Sequence, residues 1–113
     1  MNITSKEYKN WTILSLNGSF TVANLMIVRS KFEEMEKKPN LKIAIDLTDV
    51  LNIDSSAIGL LTNFAKRVMK SNNFIVVFGA NPDVSYIFEI VSFGHIVDVY
   101  KTREDFEKAV LLK

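Results

Sequence analysis

Two short apolar segments constrain the fold of this 113-residue chain more than any other feature. Residues 42–47 and 74–78 show no strict alternation of polar and apolar side chains. Such segments are typical of strands in a parallel sheet that is covered on both faces. Between them, residues 56–71 place apolar side chains on one helical stripe,. A strand, a helix and a second strand in this order predict a right-handed crossover within a parallel sheet.

Further elements are predicted on both sides of this unit. Two early strands at 3–8 and 11–16 are separated by a hairpin turn at Lys9 and Asn10,. The remaining predictions are a helix over 22–37, a helix from Pro82 that Gly94 ends, a strand at 97–100 and a final helix capped by Thr102 and Asp105,. The predicted order is ββαβαβαβα. It indicates an α/β fold in which a mixed, mostly parallel sheet of four or five strands packs with about four helices, as one domain spanning residues 1–113.

Composition excludes several classes of function. The chain is 48% hydrophobic and 24% charged, as expected of a folded globular domain,. Its net charge of +1 provides no general attraction for nucleic acid,. The absence of cysteine rules out disulfides and thiolate metal sites,. No signal peptide and no apolar run near the roughly 18 residues of a membrane helix is present, so we expect a cytoplasmic protein without membrane insertion.

Residues suited to catalysis are few. The only histidine, His95, follows the predicted helix end at Gly94 and is interpreted as a surface or capping imidazole. The serines at 55 and 56 lack the Gly-x-Ser-x-Gly context of a nucleophile, and the four glycines form no phosphate-binding loop,. We therefore expect no enzyme activity, no metal and no cofactor. Asp46, Asp49 and Asp54 leave one alternative, a receiver-like domain that binds phosphate or another ligand at a strand end.

The sequence Asp54-Ser55-Ser56 lies where the strand prediction gives way to the helix prediction. Serine is a preferred N-cap residue that contributes about 1 kcal/mol, so ordinary capping can explain the pair. We expect one hydroxyl to cap the helix and the other to face solvent or a partner, with Ser56 as the cap or as the helix-side neighbour of Ser55. A phosphate at this position would be stabilised by the helix dipole.

Residues 46–50 (Asp-Leu-Thr-Asp-Val) and 53–59 (Ile-Asp-Ser-Ser-Ala-Ile-Gly) resemble the signature of the STAS family, the bacterial anti-sigma factor antagonists. Residues 93–100 and 101–109 resemble the closing strand and helix of that family. The resemblance implies a non-enzymatic STAS domain that binds an anti-sigma factor, itself a serine kinase of the histidine-kinase-like ATPase fold. In that family the unphosphorylated antagonist frees a sigma factor. Phosphorylation, here at Ser55 with Ser56 as second choice, releases the partner.

The resemblance also implies a partner-binding surface, with contacts from these residues: Phe20, Thr21, Asn24, Asp54, Ser56 and Ile58. Members with the kinase switch commonly carry aspartate at the fourth position of a Gly-x-x-Asp turn. Here residues 18–21 read Gly-Ser-Phe-Thr, so a hydroxyl replaces the carboxylate, and we expect Phe20 to be exposed. A second alternative is a STAS subunit of another assembly, such as a lipid-transport ATPase complex or a stress-sensing scaffold, in which phosphorylation is optional.

Overall fold

The computed structural model describes residues 1–111 and contains one five-stranded sheet with helices on both faces. The strands are β1 (Asn2–Tyr8), β2 (Trp11–Phe20), β3 (Lys42–Ile53), β4 (Phe74–Phe78) and β5 (Asp98–Tyr100). The helices are α1 (Leu25–Glu36), α2 (Ser55–Lys70), α3 (Pro82–Ile90) and α4 (Arg103–Leu111), with single 3₁₀ turns at Val22–Asn24 and Phe93–His95. The predicted α/β class and the order ββαβαβαβα are confirmed.

Neighbouring strands in the sheet follow the order of the chain, from β1 to β5. β1 pairs antiparallel with β2 through the hairpin at Lys9, whose φ of 51° suits a tight turn. The other neighbours pair in parallel. A receiver-like doubly wound sheet has the order 2-1-3-4-5 instead. The receiver alternative is therefore wrong at the level of topology.

Aromatic contacts contribute to the packing of helices on both faces of the sheet. On one face, α1, α2 and α3 cover the larger core, and the rings of Phe32 and Phe64 stack between α1 and α2 with centroids 4.0 Å apart. On the other face, Phe106 of α4 packs against Trp11 and Phe78, at centroid distances of 5.5 and 5.2 Å. The central strands are thus covered on both faces, as their apolar composition predicts.

Two strands are longer than the sequence predicts. β2 continues to Phe20 and β3 to Ile53, because Ser19 and Phe20 pair in parallel with Asn52 and Ile53. Register shifts between Ser15 and Asn17 and between Gly18 and Ser19 accommodate this pairing. Both extensions contain polar side chains, so the sequence pattern does not indicate strands there. Their backbones are nevertheless paired by hydrogen bonds. The extension carries the sheet directly up to the serine pair.

The end of α3 also differs from the prediction. The helix stops at Ile90, and Ser92, with φ of 56°, takes the left-handed conformation that was expected of a glycine,. Gly94 lies within the following 3₁₀ turn. The sequence rule that places glycine after a helix fails here because serine occupies the left-handed position.

Gly79, directly after β4, approaches β3 closely. Its φ is +85°, and an added Cβ would lie 3.0 Å from the backbone nitrogen of Thr48 and closer still to its hydroxyl. By contrast, Gly59 in α2 has nothing within 4 Å of an added Cβ. The two glycines therefore provide a matched pair for testing the packing between β3 and the segment after β4.

We expect Gly79→Ala to lower the free energy of unfolding by roughly 1 to 3 kcal/mol, because it adds both strain at positive φ and a steric clash. Gly59→Ala should leave stability unchanged or raise it by up to about 1 kcal/mol, since alanine favours a helix interior. Urea denaturation at pH 7 measures both. Equal midpoints for the two variants would show that this close approach does not constrain the fold.

Candidate functional site

The serine pair lies at the edge of the sheet where the parallel strands β2 and β3 end. Phe20 and Ile53 are paired at these ends, and α2 begins two residues after Ile53. The backbone nitrogen of Asp54 donates to the carbonyl of Phe20 at 3.4 Å. We call residues 54–56 the serine loop. Its position follows from the strand extension described above.

The carboxylate of Asp54 is the N-cap of α2. One oxygen accepts a hydrogen bond from the backbone nitrogen of Ala57 at 2.9 Å, and the other accepts from the backbone nitrogen of Val22 at 2.9 Å. The Ala57 bond, followed by the Val22 bond, holds the pKa of the Asp54 carboxyl below its usual value. One side chain therefore joins the start of α2 to the chain that leaves β2.

The prediction that a serine hydroxyl caps the helix is wrong, whereas Ser56 does lie on the helix side of Ser55. Asp54 has that role, and Ser55 and Ser56 occupy the first two positions of α2. Both serines are exposed, and within the part of the chain that the structure describes neither hydroxyl makes a hydrogen bond. Aspartate and serine are similarly good N-caps, so sequence alone could not assign the role. The consequence is that both hydroxyls are available for chemistry or contact.

The residues expected to contact a partner are placed unequally. Thr21 and Asn24 lie half-buried beside the loop, and the Asn24 amide donates to the carbonyl of Ser19 at 2.7 Å. Phe20 is completely buried in the larger core, so its expected exposure is wrong. Its ring turns inward because β2 continues through this position. Ile58 is only 9% exposed and joins the same core, which makes it a poor contact residue.

Exposed apolar side chains near the serine loop were not singled out from the sequence. Val22 is 67% exposed, Met26 68% and Leu51 69%. The backbone nitrogen of Val22 donates to the Asp54 carboxylate. Leu51 lies near the end of β3, where its carbonyl accepts from the Asn81 amide at 3.1 Å. We call Val22, Met26 and Leu51 the apolar rim. The sequence could have indicated their exposure, because all three lie outside the helical and strand stripes that form the core.

The other acidic and histidine candidates show no arrangement for catalysis. Both oxygens of Asp46 are engaged, one by the Ser15 hydroxyl at 2.8 Å and the other by the backbone nitrogen and hydroxyl of Thr48. His95 is exposed in the 3₁₀ turn after α3. Within residues 1–111, no three His, Cys, Asp or Glu side chains are grouped to hold a metal ion. None of the described helices is long and apolar enough to cross a membrane.

Replacing Asp54 tests its role as the cap. We expect Asp54→Ala to lower the free energy of unfolding by about 1 kcal/mol at pH 7, as loss of an N-cap commonly does. The folded-state pKa is below the ordinary value of 3.8, so the stabilising contribution is complete above that value and is lost as pH falls through the folded pKa,.

Urea denaturation at pH 7 and at about pH 3 measures this difference, which should shrink at the lower pH. Asp54→Asn is the matched control, because asparagine also caps helices but does not titrate. Its single amide oxygen can keep the bond from Ala57 but not also the one from Val22, so its stability at pH 7 should lie between those of wild type and Asp54→Ala,. A constant difference between wild type and Asp54→Ala at both pH values would contradict the ionised cap.

Comparisons with known proteins agree with this geometry. Residues 2–106 match the model of the STAS domain. A Thermotoga maritima relative, provisionally named an anti-sigma factor antagonist, is 29% identical over 91 residues, which cover 80% of each chain. A crystal structure of such a protein from the same organism superimposes with a TM-score of 0.86 at 25% identity, covering 96% of this chain and 93% of that one.

Bacillus SpoIIAA shows the same fold at lower identity. Its phosphorylated and unphosphorylated forms both superimpose with a TM-score of 0.72 at 14% identity, covering 96% of this chain and 99% and 94% of theirs. At this identity the likeness concerns the fold alone. The family model, in contrast, covers nearly the whole chain, with the serine loop inside the matched range. Curated relatives from Thermotoga maritima and Listeria monocytogenes are named anti-sigma factor antagonists, the first of them provisionally. This chain belongs to the STAS domain family.

Proposed function

We propose that this protein is an anti-sigma factor antagonist whose binding is switched off by phosphorylation of Ser55. Its partner is an anti-sigma factor that is also a serine kinase of the histidine-kinase-like ATPase fold, and binding that partner frees a sigma factor. The observation that carries this proposal is the division of roles in the serine loop. Asp54 caps α2, and the exposed hydroxyl of Ser55 makes no hydrogen bond within residues 1–111. That hydroxyl is therefore not needed to cap the helix.

Electrostatics explains how a phosphate could break a contact without unfolding the domain. A phosphoserine carries about −1.5 to −2 charges at pH 7 and is favoured at a helix N-terminus. It would also lie beside the Asp54 carboxylate, whose lowered pKa keeps it ionised. The added charge and bulk would therefore oppose a closely packed partner. SpoIIAA, which is named an anti-sigma factor antagonist, has the same likeness to this chain in both phosphorylation states.

The apolar rim supplies a surface suited to protein contact. Val22, Met26 and Leu51 are each about two-thirds exposed. Val22 and Met26 lie in the chain that follows β2, where the Val22 nitrogen donates to Asp54, and Leu51 lies in β3 three residues before Asp54. Burial of such side chains against a partner supplies binding energy, and a central polar group gives specificity. Thr21 adds a neutral side chain where proteins with this switch commonly carry a carboxylate. The protein acts here as a binding partner and kinase substrate in the cytoplasm, and it carries out no reaction itself.

The first test of this proposal is a phosphate mimic. Ser55→Asp should weaken binding at least roughly tenfold through like-charge repulsion, while circular dichroism stays unchanged. The partner is the ATPase that the tagged, unphosphorylated protein captures from its own cells. Titration calorimetry with that purified ATPase gives the affinity. Ser71→Asp, at the opposite end of α2, is the matched control and should bind normally.

Mass spectrometry of the protein from its own cells identifies the modified residue. Phosphate on Ser55 is expected after incubation with the captured ATPase and ATP. If neither serine is modified by a bound ATPase of this fold, the phosphorylation switch is refuted. Capture of a transport or scaffold assembly in its place would favour the alternative of a STAS subunit in that assembly.

The apolar rim leads to a separate expectation. Leu51→Ala should weaken binding to the same ATPase by about fivefold to tenfold, because an exposed apolar side chain loses its burial against the partner. The unfolding free energy should remain within about 0.5 kcal/mol of wild type. Phe74→Ala is the matched control, since Phe74 is 55% exposed at the start of β4, the opposite end of the strands. Equal affinities for both variants would exclude Leu51 from the interface.

A further inference from the structure

An open groove of about 630 Å³ runs between α1 and α2 and reaches the serine loop. Its floor is open beside the first turn of α2, because Gly59 lines the groove and has nothing within 4 Å of an added Cβ. The groove is polar, with side chains of both charges along it. It is therefore a space into which a group attached to a serine could extend.

The two serines have different relations to this groove. Ser56 lies on a stripe of α2 that includes Leu60, Asn63 and Arg67, with the spacing of successive helical turns, and all four line the groove. Ser55 also borders the groove. Adjacent residues of an α-helix are rotated by roughly 100°, however, so Ser55 is displaced from the stripe. A substituent on Ser56 thus faces the groove at its serine end, and one on Ser55 faces the margin of the groove,.

The charged residues that line the groove are arranged unevenly. At the end remote from the serines, Arg67 forms a bidentate ion pair with Glu36, with the shortest N–O distance at 2.8 Å. That bond raises the pKa of the Arg67 guanidinium, and Glu33 contributes to the shift. Arg29, which also lines the groove, lies in α1 one turn after Leu25. Among the described residues, Arg29 has no carboxylate within ion-pair distance.

We propose that Arg29 is the internal counter-ion for a phosphate on Ser56, and that it discriminates this position from Ser55. Arginine binds phosphate with two parallel hydrogen bonds, and the open space next to Gly59 admits the group,. A phosphate on Ser56 is then partly neutralised by Arg29 at the α1–α2 groove, although Glu33 also lines it. A phosphate on Ser55 is not paired with Arg29, so its full charge faces the partner. Two adjacent serines consequently give different outcomes, with Ser55 as the effective switch.

This inference rests on the proposed function only in treating the serine pair as a phosphorylated site. The test installs phosphoserine during synthesis at position 55 or 56, so it requires no kinase. ³¹P NMR titration then measures the second pKa of each phosphate, ordinarily about 6. With Arg29 present, we expect the pKa at position 56 to be lower than at position 55.

Arg29→Gln should raise the pKa of the phosphate at position 56 by roughly 0.5 to 1 unit, the modest effect expected of an exposed opposite charge. The phosphate at position 55 should change much less. Arg29→Lys retains the charge and should keep most of the lowering. Arg103→Gln is the control, because Arg103 lies in α4 on the other face of the sheet.

An unchanged pKa at position 56 in the Arg29→Gln protein would overturn the inference, as would equal changes at both positions. Failure of the proposed function is a separate result, seen as unchanged partner affinity when Ser55 carries phosphate. Because Arg29 is exposed and unpaired within the described chain, the unphosphorylated Arg29→Gln protein should fold with wild-type stability. Equal urea midpoints for wild type and Arg29→Gln would show that a change in the phosphate pKa does not come from destabilisation of the fold.

Discussion

Parallel pairing of β2 with β3 as far as Phe20 and Ile53 is the constraint on which the site depends. It brings the start of α2 next to the chain that leaves β2, close enough for one carboxylate to accept from Val22 and Ala57. Without that pairing, Asp54 would cap a helix and do nothing more. With it, the serine loop, the first turn before α1 and the apolar rim are held at one edge of the sheet.

Much of the architecture could be predicted because hydrophobic patterning is strong in the central elements. The apolar residues 74–78 became β4 with the predicted bounds, and the stripe that includes Leu61 and Val68 became the buried face of α2. The Thr102 cap also formed, with its hydroxyl accepting from the backbone nitrogen of Asp105 at 3.1 Å. In these segments, local preference and tertiary packing favour the same structure.

The errors occurred where backbone pairing or competing polar groups decided the outcome. Phe20 was expected on the surface because residues 18–21 align with the Gly-x-x-Asp turn of the family, but strand pairing placed its ring in the core. A serine hydroxyl was expected to cap α2, whereas Asp54 reaches two backbone nitrogens at once. That Arg29 forms no ion pair within residues 1–111 could not be predicted, since it depends on which carboxylates the fold brings near Arg29 and which it brings near Arg67.

Coverage of the second face of the sheet by α4 has a consequence for biosynthesis. Phe106 is the buried side chain of this helix, and it packs against Trp11 near one end of the chain and Phe78 in β4. A nascent chain can assemble much of the larger core from segments that precede α4, but it cannot cover these rings until α4 itself has been translated. Apolar surface on that face therefore remains accessible to chaperones, or to other nascent chains, until α4 has left the ribosome.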